Sequence, residues 1–183
     1  MKIGNAMMQT PEGKKQFIGL VNSSVNFELK LHEGIHPKFP NRNGEMTPDN
    51  RSRVQGDFTK AEINIYKGAI SNYFNNLKKY KKAIQEGKIL KLKGNTHEDV
   101  YRAYLYGSMP SSIEELIGHV AIHEAEHGLN KNAQRKYNPS YKSREIIADI
   151  PRIKAINQMS DYRISKLKPI IHRLKIKSEM LEL

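Results

Sequence analysis

Three stretches of the chain alternate hydrophobic and polar residues with the two-residue period of a half-buried β-strand. Residues 25–31, VNFELKL, alternate over their whole length. Residues 61–68, AEINIYKG, repeat the pattern with Ile63 and Ile65 on one face, and KILKLKG at 88–94 is a shorter candidate. The pattern therefore predicts a small sheet of about three strands, which we expect to be mainly antiparallel.

Helical spacing of apolar residues accounts for much of the remaining chain. Thr10 is expected to cap a helix that begins at Pro11, and an apolar stripe within residues 70–84 predicts a second helix. Further helices are predicted over residues 98–106, 112–128 and 143–157, with a basic amphipathic helix at the C-terminus. Residues 36–56 are rich in proline, asparagine, glycine and arginine, which favours a long loop.

No linker, repeat or low-complexity tract divides these elements. Residues 1–183 are therefore predicted to form a single domain of the α+β class. We expect its small sheet to pack against the helix at 112–128, which also carries the most informative motif.

Composition restricts the chemistry of any metal site. The sequence contains no cysteine, so disulfides and thiolate zinc sites are excluded, and metal ligands would have to be histidine, aspartate or glutamate. The formal net charge of +12 suggests nucleic acid as a partner. However, most lysines of the 77–94 segment lie off the apolar helical stripe, and arginine does not alternate with aromatic residues. Nucleic-acid binding is therefore not favoured.

The N-terminal residues MKIGNAMMQTPEGKKQF lack the apolar core of a secretory signal. No segment approaches the roughly 20 apolar residues that span a bilayer. We therefore expect no membrane span. We expect either a cytoplasmic protein or one delivered by a secretion route that needs no signal peptide.

The segment HVAIHEAEHGLN, residues 119–130, carries three histidines at four-residue spacing. In an α-helix, His123 and His127 lie about 40° apart around the axis and about 6 Å apart along it, so both imidazoles can reach one cation. Glu124 then sits beside the cation, where it can take a proton from water. His119 lies about 12 Å along the axis from His127, so we expect it to pack or to form hydrogen bonds. A third ligand must come from elsewhere in the chain.

Two carboxylates on another predicted helix supply candidates for that ligand. Glu145 and Asp149 are four residues apart in SREIIADI, and Glu145 follows His127 by eighteen residues. The metzincin pattern would place glycine at 130 and histidine at 133, whereas this sequence has Asn130 and Ala133. That branch of the HExxH enzymes is therefore excluded.

With HEAEH followed by EIIAD, the sequence resembles the gluzincin metallopeptidases, from the first histidine of the segment to Asp149. The resemblance implies Zn²⁺ as the cofactor, with His123, His127 and Glu145 as its ligands. It also implies that Asp149 orients a liganding histidine. Glu124 would be the general base.

The layout of the chain also looks like the metallopeptidase domains of bacterial toxins and secreted effectors, with a TPEG helix and two strands before the zinc helix. This likeness implies a zincin-like domain, a protein or peptide substrate and, for a toxin, an immunity or inhibitor protein as partner. Zincins offer the backbone of an edge strand to an extended substrate, and residues 61–67 are the expected edge strand. Glu126 departs from the pattern, because many relatives carry a small or apolar residue there.

Both carboxylates also have a purely structural interpretation. Glu145 can be a first-turn carboxylate after a cap by Ser143. Asp149 can pair on the surface with Lys142, Arg152 or Lys154.

The sequence predicts a zinc metallopeptidase that hydrolyses peptide bonds with a metal-activated water and Glu124 as base. Tyr137, Tyr141 and His172 are three candidates for stabilising the oxyanion, and the sequence does not choose among them. Two alternatives stay open. One is a non-catalytic, metal-stabilised binding module with a closed coordination shell, and the other is a basic nucleic-acid-binding protein with incidental histidines.

Overall fold

The computed structural model describes residues 2–49, 58–86, 109–134, 137–138 and 140–159. The predicted strand at 88–94, the predicted helix at 98–106, the predicted C-terminal helix and His172 lie outside these residues. Three helices and three strands precede the motif helix in the described part: α1 (Ile3–Met7), α2 (Pro11–Val21), β1 (Asn26–His32), β2 (Gly44–Pro48), β3 (Lys60–Tyr66) and α3 (Lys67–Gln85). The motif helix α4 (Ile113–Leu129), a 3₁₀ turn (Lys131–Ala133) and a helix α5 over residues 141–159 follow.

The described sheet has three strands in the order β1-β3-β2. β1 and β3 are parallel, whereas β2 and β3 are antiparallel. The α+β expectation is confirmed, but the expectation of a mainly antiparallel sheet is wrong for this part of the chain. Along the chain, β2 comes between β1 and β3, whereas in the sheet β3 lies between the other two strands. The longer pairing, β1 with β3, is the parallel one.

Two local predictions about this sheet are also wrong. Residues 61–67 do not form an edge, because β3 is the central strand of the described sheet and its Ile63 and Ile65 are fully buried. The two edges of the described sheet are β1 and β2, and β2 lies in the stretch that the sequence predicts as a long loop. Its sequence GEMTP begins with glycine and ends with proline, two residues that are unfavourable in strand interiors, and so shows no clear strand pattern.

The motif helix α4 lies in the hydrophobic core, packed on the sheet and on the first two helices. Ile117, Ala121 and Ala125 are completely buried along its inner face. Gly118 lets α1 approach closely, since a Cβ atom there would lie 2.3 Å from the backbone oxygen of Ala6. The direction in which the motif side chains project is therefore fixed by core packing.

The N-terminal end of this helix follows the capping rules. Ser112 caps α4 by accepting a hydrogen bond of 3.0 Å from the backbone N–H of Glu115. Glu114 and Glu115 lie in the first turn, where carboxylates interact favourably with the helix dipole. In α2, Thr10 caps the helix at Gly13 with Pro11 in the first position, as predicted.

Candidate metal centre

Two imidazoles meet on one face of α4. The Nε2 atoms of His123 and His127 lie 3.2 Å apart, and the ring planes are inclined by 79°. The four-residue spacing thus brings the two nitrogens together as the helical geometry predicts.

Helix α5 brings a carboxylate to the same point. One Glu145 oxygen lies 3.3 Å from Nε2 of His123, and the other lies 3.6 Å from Nε2 of His127. Zinc bond lengths of about 2.0–2.1 Å place neighbouring ligand atoms of a tetrahedron about 3.3–3.4 Å apart. The distances among the three residues therefore fit one zinc-sized ion.

The outer nitrogen of each ring has a hydrogen-bond acceptor. Nδ1 of His123 lies 2.7 Å from Oδ1 of Asp149, and Nδ1 of His127 lies 2.8 Å from the carbonyl oxygen of Ala133. A carbonyl and an ionised carboxylate can only accept, so both Nδ1 atoms carry the proton. In the neutral rings, both Nε2 atoms then present lone pairs toward each other and toward Glu145.

Such a convergence of lone pairs and negative charge needs a cation to be favourable. Burial lowers the pKa of His123, and the nearby His127 ring lowers it further, so the environment disfavours a protonated His123. Neutral imidazoles with hydrogen-bonded outer nitrogens are the form in which histidine binds metals. The donor set is therefore chemically suited to a divalent ion.

Glu124 is buried next to this cluster. Burial raises the pKa of its carboxyl group to about 8, and the nearby Glu145 carboxylate contributes to the rise. A backbone hydrogen bond from Met46 in β2 acts in the opposite direction. Because opposite charge favours the ionised form, a cation held by the three ligand atoms would return Glu124 toward the carboxylate.

Asp149 contacts both groups that its two interpretations name. One oxygen contacts His123 and also lies 3.0 Å from Nη2 of Arg152. The ion pair with Arg152 and the contact to the histidine are therefore compatible, and the arginine helps to hold the carboxylate in place.

The remaining motif residues lie away from the ligand atoms. His119 is buried, with its Nε2 3.6 Å from a Glu115 oxygen one turn earlier, which agrees with the predicted packing role. The Glu126 carboxylate accepts hydrogen bonds from Gln16 and Asn130, at 2.8 and 2.7 Å. The charge at position 126 thus ties α4 to α2 and to its own C-terminal end.

The described oxyanion candidates lie near cationic side chains. The Lys131 ammonium lies 5.3 Å from the ring centre of Tyr137, and the Arg144 guanidinium lies 5.7 Å from that of Tyr141. A role in stabilising an oxyanion stays a prediction for both tyrosines.

Sequence reasoning missed two contributions of the backbone. The carbonyl of Ala133 reaches His127 because the 3₁₀ turn follows α4 directly, with Asn130 accepting a hydrogen bond from the Asn132 N–H. The N–H of Met46 reaches Glu124 from a strand that the sequence did not predict. Asn130 at the end of a helix was the only available signal for the turn.

Comparison with protein-family models, with curated proteins and with solved structures finds no match for this chain.

Proposed function

We propose that the chain is a zinc-dependent metallopeptidase. The observation that carries this proposal is the convergence of His123, His127 and Glu145, whose ligand atoms all lie within 4.8 Å of one another. Within the described residues the group comprises these three side chains. Catalytic zinc sites combine three protein ligands with one open position, whereas structural sites are closed by four. This supports an enzyme over a metal-stabilised binding module.

The chain's own residues then have distinct tasks. Bound Zn²⁺ would supply Lewis-acid polarisation of a peptide carbonyl and acidification of water. Glu124 takes the proton from the attacking water and passes it to the departing amine. Asp149 and the Ala133 carbonyl hold the two imidazoles in the tautomer that exposes Nε2.

We assign to strand β2 the substrate-binding role that the sequence led us to expect for residues 61–67. It is an edge of the described sheet and runs beside α4, where a Cβ atom at Gly44 would lie 2.6 Å from Val120 and 3.1 Å from Cγ of Glu124. An extended peptide lying along this edge would pass close to the general base. The proposed substrate is therefore a protein or peptide segment in extended conformation.

A toxin or effector role, with an immunity or inhibitor protein as partner, stays a proposal. No helix in the described ranges is both long and apolar enough to cross a membrane. Nucleic-acid binding with incidental histidines is less favoured, because it gives no reason for the Glu145 and Asp149 contacts to the rings.

The test compares two carboxylates on one helix. Glu124→Gln should retain zinc but lower peptide hydrolysis about 100- to 10,000-fold, the usual contribution of a general base. Glu126→Gln changes a similar group whose hydrogen bonds go to Gln16 and Asn130, so its hydrolysis rate should stay near wild type. Zinc content by elemental analysis and cleavage of a peptide mixture by mass spectrometry are measured for each. Full activity in Glu124→Gln would exclude the proposed mechanism.

A further inference from the structure

The contact between Glu124 and β2 depends on the alternating hydrogen bonds of the sheet. Tyr66 N–H donates to the Asn43 carbonyl, and Asp49 N–H donates to the Lys60 carbonyl. Since antiparallel pairs alternate, the odd-numbered residues 43–49 direct their backbone groups toward β3. The Met46 N–H therefore points away from β3, and it is donated to the Glu124 carboxylate.

β2 by itself is a poorly stabilised strand. It has five residues, begins with glycine and ends with proline, and pairs on one side only in the described sheet. Short edge strands with such residues pair weakly, because they lack ladder hydrogen bonds and side-chain packing. Its position beside Glu124 must therefore be supported by other contacts.

Glu45 supplies these contacts. Its side chain lies on the face of β2 opposite to that of Met46. One carboxylate oxygen accepts a hydrogen bond of 2.8 Å from the Tyr66 hydroxyl of β3. The other accepts a bond of 2.6 Å from Nη1 of Arg42, whose guanidinium stacks 4.3 Å from the ring centre of Phe39. We name Glu45, Tyr66, Arg42 and His36 the Glu45 network.

His36 links the preceding loop to the same carboxylate. Its Nδ1 accepts backbone hydrogen bonds from Lys38 and Phe39, both at 3.0 Å, so the proton lies on Nε2. That Nε2 faces a Glu45 oxygen at 3.4 Å. The ring also packs edge-on against Tyr66 at 4.9 Å between centres. A single carboxylate thus joins β2, β3 and the loop before β2.

The charge on Glu45 is stable in this setting. Burial alone would raise its pKa, but hydrogen bonds from Tyr66 and Arg42 lower it below the ordinary value. Charge-assisted hydrogen bonds are also stronger than neutral ones. The Glu45 network therefore stabilises the position of β2 beyond what the few hydrogen bonds between β2 and β3 provide.

We infer that Glu45 is a positioning residue, which through the Glu45 network holds the Met46 N–H against Glu124 and so sets the place of the proposed general base. Glu45 lies on the opposite face of β2 from Gly44, whose Cβ position faces Glu124, and has no role in the chemical step. Its effect on catalysis rests on the proposed function. Its effect on the Met46 amide does not.

The first test uses hydrogen exchange by NMR in the metal-free protein. Glu45→Gln should speed exchange of the Met46 amide about tenfold or more, because a charge-assisted anchor is lost. The Ile63 amide in the central strand should change much less. Tyr66→Phe removes one donor while keeping the buried ring, and should give a smaller change in the same direction. It also tests the inference if Glu45→Gln does not fold.

A matched control lies on the neighbouring strand. Glu62 lies on the same face of the sheet as Glu45 and makes a 2.6 Å ion pair with Lys30. Glu62→Gln should leave Met46 exchange near wild type. If Glu45→Gln speeds exchange of the Met46 amide no more than Glu62→Gln does, the positioning role is wrong. It is also wrong if exchange of the Met46 and Ile63 amides speeds up equally.

The second test separates positioning from the function itself. In Glu45→Gln, kcat at saturating substrate should fall about tenfold, while zinc affinity stays within about twofold of wild type. A purely structural role would instead lower the melting temperature and leave kcat per folded molecule unchanged. If the wild-type protein shows no hydrolysis, the proposed function fails, but the Met46 exchange data still decide the positioning role.

Discussion

The two helices that meet at the metal centre are held in different ways. α4 is embedded in the core, and its side chains His123 and His127 are only 15% and 14% exposed. α5 packs through small residues, with Ala148 and Ala155 fully buried. Its carboxylates at 145 and 149 are 33% and 31% exposed.

The outward side of α5 supports the same contrast. Ile146, Ile150 and Ile153 are about half exposed on that side, whereas Ile117 and Ile122 of α4 are buried. Core packing therefore presents the histidine pair independently of metal. The carboxylate side depends more on its contacts with the two rings, so an ion shared by both helices would stabilise α5 more than α4.

The largest expected effect on zinc affinity comes from changing a histidine on α4. His127→Ala removes one of the two nitrogens that α4 presents and leaves a two-residue donor set. Zinc affinity, measured by competition with a chelating dye, should fall more than about 100-fold. Loss of only the hydrogen-bond partner of a liganding histidine costs up to about 100-fold. Unchanged affinity would show that the histidine pair does not bind the ion.

A smaller loss is expected when α5 loses only its outer partner. Asp149→Ala removes the acceptor of the His123 Nδ1–H, so zinc affinity should fall about 10- to 100-fold. Lys154→Ala, an exposed change on the same helix, serves as the control and should keep wild-type affinity. Equal zinc affinities for the two variants would show that Asp149 makes only surface contacts and does not support the metal site.

The packing of α4 can be disturbed without touching any ligand. Gly118→Ala places a methyl group against the Ala6 backbone oxygen, and overpacking of this kind costs about 1–3 kcal/mol. The free energy of unfolding from urea titration should fall by that amount. Gly34→Ala meets nothing within 4 Å and should leave stability near wild type. A neutral Gly118→Ala would contradict the close approach of α1 and α4.

The smallest effect compares the two helix caps. Ser112 caps α4, and Ser140 accepts a 3.3 Å hydrogen bond from the Ser143 N–H at the start of α5. Either change to alanine removes a cap worth about 1 kcal/mol. Ser112→Ala should lower global stability by that amount, whereas Ser140→Ala should mainly speed amide exchange within α5. Equal global losses would mean that both helices belong to one cooperative unit.

Local features explain how much of this arrangement the sequence could predict. The capped ends of α2 and α4 and the facing of His123 and His127 depend on residues a few positions apart, and these predictions are confirmed. The Glu145 contact was reached through a resemblance in residue spacing. The structure places its carboxylate within 3.6 Å of both rings.

The missed features depend on partners that are distant in sequence or on backbone atoms. β2 has no alternating pattern, and its pairing with β3 joins Gly44 to Ile65 across a connection that periodicity does not describe. The same limit explains the parallel pairing of β1 with β3. The Met46 N–H and the Ala133 carbonyl belong to the main chain, so no side-chain motif could identify them.

The zinc content of the wild-type chain, purified without a histidine tag, tests the central claim most directly. Inductively coupled plasma mass spectrometry should find about one zinc per chain, the stoichiometry of a single three-ligand site. A protein that contains no zinc and takes up none on dialysis against it would contradict the metal centre on which the proposed function depends.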